Sequence, residues 1–70
     1  MNLIINGEER SFTFQQKSVT LLNLIEMLGH NPKLIVVEFN GVILPPQSWS
    51  QKEIKDGDSL EIVTIVGGGS

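Results

Sequence analysis

The chain has seventy residues, no cysteine, five basic and eight acidic side chains, and a net charge of −3. That length allows one domain, burying roughly 60% of the surface its unfolded chain exposes, with no disulfide to reinforce it. The charge argues against a nucleic-acid partner, which needs a basic face. No leader peptide is visible and no apolar run approaches the ~18 residues of a membrane span, so neither secretion nor a membrane is expected.

Asn2 to Ile5 is a short apolar run, reversed at once by Asn6-Gly7, a pair suited to positive φ. Arg10 to Gln15 then alternates, with Phe12 and Phe14 on one face, which predicts a half-buried second strand. Thr20 is a good N-cap, and Leu21, Leu24, Ile25 and Leu28 form the stripe of an amphipathic helix. Gly29 supplies its left-handed stop and Pro32 prevents its resumption. So short a helix must lie on the sheet to be stable.

Leu34 to Phe39 reads as the third strand, with Ile35, Val37 and Phe39 on one face and Val36 and Glu38 on the other. Asn40-Gly41 repeats the hairpin signal, Val42 to Leu44 returns, and Pro45-Pro46 ends the ladder. Gln47 to Lys55 is a crossing segment with about one helical turn, pinned by Trp49 and Ile54. Asp56-Gly57-Asp58 turns the chain into a last strand, Leu60 to Ile65. Residues 66–70 read as a flexible glycine-rich tail after a domain of residues 1–65.

This order predicts an α+β domain in two layers: a mixed sheet of four to five strands with one main helix on one face. In a β-grasp arrangement the first and last strands lie side by side, parallel, at the sheet centre. If Leu60 and Ile62 face the helix, Val63 and Ile65 look outward beside the tail. With Val36 or Ile4 they make an apolar patch suited to a partner; scattered exposed aliphatics are the plain alternative.

Several strings together resemble the ThiS family, the ubiquitin-like sulfur carriers of thiamine biosynthesis. They are Ile5-Asn6-Gly7-Glu8, the helix Thr20 to Gly29, Val37-Glu38-Phe39-Asn40-Gly41, and Leu44-Pro45 with Trp49 behind. Asp56-Gly57-Asp58 leading into Glu61-Ile62-Val63, and Val66-Gly67-Gly68-Gly69, complete the set, so the resemblance covers nearly the whole chain. There are two departures. Ser70 follows the glycine at which the family commonly ends, so it is trimmed before use, or is an added residue, or this form is not activated. Pro46 and Gln47 stand where the family often has an arginine, which touches one partner contact and not the fold.

The resemblance implies a carrier whose chemistry happens at its own end. An E1-like adenylating enzyme, using ATP, would convert the Gly69 carboxylate to an acyl-adenylate. A persulfide sulfur donor would turn that into a thiocarboxylate, and thiazole synthase would take the sulfur. Gly67 and Gly68 would form the thin tail that threads a partner's active site, in the cytoplasm, with no cofactor bound to the carrier itself. With no cysteine, the chain has no thiol of its own to hold sulfur. Gly-Gly-Gly-Ser also reads as an inert linker.

No catalytic or metal site is expected. His30 stands past the helix end without a second ligand at suitable spacing, the acidic turn lacks the ligand pattern of a calcium loop, and no Ser, His and Asp suggest a triad. The alternatives are a carrier resembling the molybdopterin-synthase small subunit, a ubiquitin-like protein modifier, and a β-grasp interaction module whose tail is inert.

Overall fold

In the computed structural model, which describes residues 1–65, both Asn-Gly pairs reverse the chain. Asn6 and Asn40 lie at φ 52° and 49°, each followed by a glycine also at positive φ, the twist that a two-residue hairpin needs. The first joins β1 (Asn2–Ile5) to β2 (Glu8–Ser11), and the second joins β3 (Ile35–Phe39) to β4 (Val42–Leu44). The chain then crosses to β5 (Ser59–Thr64). The sheet order is β2-β1-β5-β3-β4. β1 and β5 are parallel, and the other neighbours antiparallel. The helix α1 (Leu21–Met27), the one α-helix among the described residues, completes an α+β, ubiquitin-like β-grasp domain.

The helix begins where its cap predicts. The Asn23 amide donates to Thr20 Oγ1 at 3.2 Å and the Thr20 amide donates to Asn23 Oδ1 at 3.1 Å, a reciprocal capping box. Two more amides at this end donate to the crossing segment, Leu21 to the Lys52 carbonyl at 2.8 Å and Leu22 to the Trp49 carbonyl at 3.2 Å. These are donors that no helix satisfies internally. The crossing segment is therefore stitched to the helix start. Trp49, 1% exposed, fixes it from below, its indole N–H donating to the Leu44 carbonyl at 3.0 Å.

The core lies between α1 and one sheet face. Leu21, Leu24 and Ile25 of the helix meet Leu3 and Ile5 of β1, Val37 and Phe39 of β3, and Leu60 and Ile62 of β5. No polar or charged residue is buried among the described residues, so the core carries no desolvation cost of that kind.

Three strand boundaries differ from the sequence pattern. The second strand runs from Glu8 to Ser11 and not from Arg10 to Gln15. The hairpin register pairs Ile5 with Glu8 and Asn2 with Ser11. Beyond that pair Met1 exchanges two 2.8 Å bonds with Phe12, its carbonyl accepting the Phe12 amide and its ammonium donating to the Phe12 carbonyl. Phe12 and Phe14 leave the strand but still share a side, half-buried against the core and stacked with ring centroids 5.9 Å apart. The third strand begins one residue late: Asn31 Oδ1 accepts the Lys33 amide at 3.0 Å and opens a 3₁₀ turn over Pro32–Leu34. The last strand spans Ser59–Thr64, because Asn40 draws Ser59 into the ladder.

Replacing the fully buried Leu24 by alanine should cost about 3 kcal/mol, the usual loss for a large-to-small change in a close-packed core. Thr20→Ala should cost about 1 kcal/mol through the lost cap. Urea denaturation checks both, and the order of the two losses is the informative outcome.

Candidate functional site

β5 runs directly toward the glycine tail, so the site is built on what holds that strand. Its even-numbered residues turn their backbone groups to β1 and its odd-numbered residues turn theirs to β3. On the β1 side Ile4 donates to the Asp58 carbonyl at 3.0 Å and Asn6 to the Leu60 carbonyl at 2.8 Å. There β1 ends, and the Asn6 side chain takes over as a piece of false backbone. Its Oδ1 accepts the Ile62 amide at 2.7 Å and its Nδ2 donates to the Ile62 carbonyl at 3.2 Å. On the β3 side the ladder continues further, to Ile65, whose amide donates to the Leu34 carbonyl at 2.6 Å.

The second Asn-Gly turn holds the start of the same strand. Asn40 Oδ1 accepts the Ser59 amide at 2.9 Å, and Asn40 Nδ2 donates to Asp58 Oδ1 at 3.0 Å. Asp58 also accepts the Lys55 amide at 2.7 Å, and Asp56 accepts the Asn2 amide at 2.6 Å. The acidic turn is thus structural. Both asparagines were legible as turn residues. Their second role, clamping a strand remote in sequence, carries no local signal.

The four residues expected to form an outward patch are all exposed: Ile4 39%, Val36 37%, Val63 60% and Ile65 49%. Val36 and Val63 are directly opposite in the β3–β5 ladder, with Ile65 two residues further along the same face. Ile4 is set apart. It pairs with Ser59, four residues before Val63 or about 13 Å away at the usual strand rise. Leu34, 46% exposed, takes its place beside Ile65; the alternation already puts it on the face of Val36 and Glu38, but the expected patch left it out. Gly67, Gly68 and Gly69 lie outside the described residues.

The remaining candidates fall elsewhere. His30 follows the helix end, its amide donating to the Ile25 carbonyl at 3.2 Å, and Trp49 belongs to the core. Among the described residues no group of three or more His, Cys, Asp or Glu side chains is placed to hold a metal ion. No described helix is long and apolar enough to cross a membrane.

A β-grasp sheet whose central strand leads into a glycine run defines a ubiquitin-like domain. Three similarities bear on which one. A thiazole synthase of Paramagnetospirillum magneticum is 46% identical over 70 residues, covering 100% of this chain but only 21% of that protein's own length. The uncharacterized protein ycf40 of Trieres chinensis is 38% identical over 65 residues, covering 93% of this chain and 85% of that protein. The crystal structure of a thiamine biosynthesis protein (ThiS) from Geobacter metallireducens superposes with a TM-score of 0.80 at 31% identity, covering 99% of this chain and 100% of that one. The ThiS family model matches residues 3–69. The chain belongs to the ThiS family of ubiquitin-like sulfur carriers.

The Asn6 clamp has a direct test. Asn6→Gly keeps the positive φ and removes only the side-chain bonds, so it should cost about 1 kcal/mol and speed hydrogen exchange at the Ile62 amide. Asn6→Ala adds backbone strain at φ 52° and should cost about 1 kcal/mol more.

Proposed function

We propose that this chain carries sulfur as a C-terminal thiocarboxylate on Gly69 and delivers it to thiazole synthase during thiamine biosynthesis. The observation that carries this reading is the similarity between the entire chain and one-fifth of a thiazole synthase (21% of its length). A synthase that includes such a segment supports a partnership between the two activities. The family match, which extends to residue 69, supports Gly69 as the reacting residue.

The chemistry follows from what the chain lacks. A carboxylate is a poor electrophile, and with no cysteine the chain has no thiol to carry sulfur. Its handle is a terminal carboxyl carbon, so Ser70 must first be removed to free the Gly69 carboxylate. An E1-like adenylating enzyme then joins that carboxylate to AMP at the expense of ATP, releasing pyrophosphate. The terminal sulfur of a persulfide attacks the acyl carbon and AMP departs. A thiol reduces the resulting acyl disulfide, leaving the thiocarboxylate. Glycines at 67, 68 and 69 carry no Cβ, which lets the main chain pass through a narrow active site.

In this reading the partners supply every catalytic group and the chain is their co-substrate. ATP is used by the activating enzyme and is not a resident cofactor. The setting is the cytoplasm, where ATP and persulfide donors are available. The outward patch around Val36, Val63 and Ile65, with Ile4 at its far end, is the docking surface. It lies beside the strand that leads to the reacting residue, so docking and tail insertion are geometrically coupled.

Intact mass spectrometry tests the proposal on protein from its host, before and after incubation with the adenylating enzyme, ATP and a persulfide source. Loss of Ser70 followed by exchange of one oxygen for sulfur is expected. Retention of Ser70 with no mass change would overturn it. Recovery of the chain joined through its glycine to lysines of other proteins would favour a modifier instead.

A further inference from the structure

The outward face of the sheet carries charge of one sign only. The register sends Glu9 of β2, Glu38 of β3 and Glu61 of β5 outward with Ile4, Val36 and Val63. No arginine or lysine stands at an outward strand position. Arg10 faces the other way, over the Phe12 ring at 5.4 Å, and Lys52 lies over Phe39 at 4.9 Å on the core side.

Two of these acids are direct neighbours. Glu38 and Glu61 are opposed in the β3–β5 ladder, and the alternation of hydrogen bonds from Asn40–Ser59 to Leu34–Ile65 makes theirs a bonded pair, with Cα atoms about 5.5 Å apart. Like charges directly opposed on an exposed face weaken a sheet. Among the described residues, side-chain bonds engage Asp56, Asp58 and Glu53 but neither Glu38 nor Glu61. The pair is a local conflict that nothing in the fold requires. It stands one rung from Val36 and Val63, where the apolar patch begins.

We propose that Glu38 and Glu61 together seat one basic side chain of the docking partner, beside an apolar patch that packs on Val36 and Val63. This inference rests on the carrier reading, and the partner it concerns is thiazole synthase. An arginine suits the seat best, because its planar guanidinium has five donors to divide between two carboxylates. The apolar contact supplies desolvation, and the charge contact fixes register and speeds encounter. A ligand with the wrong charge is rejected by the same two groups.

The test is a binding titration of the full chain with purified thiazole synthase of its host at low and high salt. It compares wild type with the double variant Glu38→Gln, Glu61→Gln, and with Glu26→Gln on the helical face as a control for net charge. The double variant should melt no lower than wild type, bind at least about tenfold more weakly at low salt, and lose most of the salt dependence. Glu26→Gln should bind as wild type does. If the double variant matches wild type in affinity and salt dependence, the seat is refuted while the carrier reading stands. A lowered melting temperature would make the pair structural and also refute the seat. If wild type itself does not bind thiazole synthase, both the seat and its partner assignment fall together.

Discussion

The structure depends on one topological constraint: the last strand in sequence is the middle strand of the sheet. β5 lies between β1 and β3, so the segment that leads into the tail is held on both edges. The parallel pairing with β1 needs a long crossover, and the helix lies within that connection. Placing β5 at the centre therefore also places α1 over the face that Leu60 and Ile62 present. The core and the crossover are consequences of one pairing.

That pairing is short, and its completion falls to side chains. Only Ile4–Ser59 and Ile5–Leu60 register as parallel partners. Asn6 extends the ladder by one rung through its amide, and Asn40 does the equivalent work at the opposite corner. Each Asn-Gly turn thus reverses the chain and clamps β5. Glycine would permit the same backbone but has no amide to offer, and an ordinary β-branched residue has neither the amide nor the tolerance for positive φ.

Much of this was legible in the sequence, for identifiable reasons. Alternation at Ile35, Val37 and Phe39, the helical stripe from Leu21 to Leu28, and the cap at Thr20 are local signals with local causes. They led to the β-grasp fold and to the correct outward set on β5. The limits of the second strand were not legible, because they depend on the hairpin register that pairs Ile5 with Glu8 and Asn2 with Ser11. Leu34 was misread because the Asn31–Pro32 turn competes with the strand at its first residue. The acidic pair was invisible for a different reason. Glu38 and Glu61 are far apart in sequence, and only the register sets them side by side. The glycine run and the family resemblance pointed to residues 67–69, which lie outside the described residues.

The two sheet faces have therefore been assigned opposite duties. The buried part of the inner face is apolar and covered by the helix, and a core of this size in so short a chain leaves little stability in reserve. On such a margin, an outward face that exposes Val36, Val63 and Ile65 beside two opposed glutamates is a poor choice for solubility and for strand pairing alike. Threonine or lysine at those positions would suit an isolated sheet better. Glu38 and Glu61, opposed beside the exposed Val36 and Val63, depart from the local optimum, and local conflicts of this kind concentrate where function sets the residue. In the carrier reading proposed above, the enzymes that handle the chain's end would recognise this outward face, which lies along the strand that precedes the glycine run.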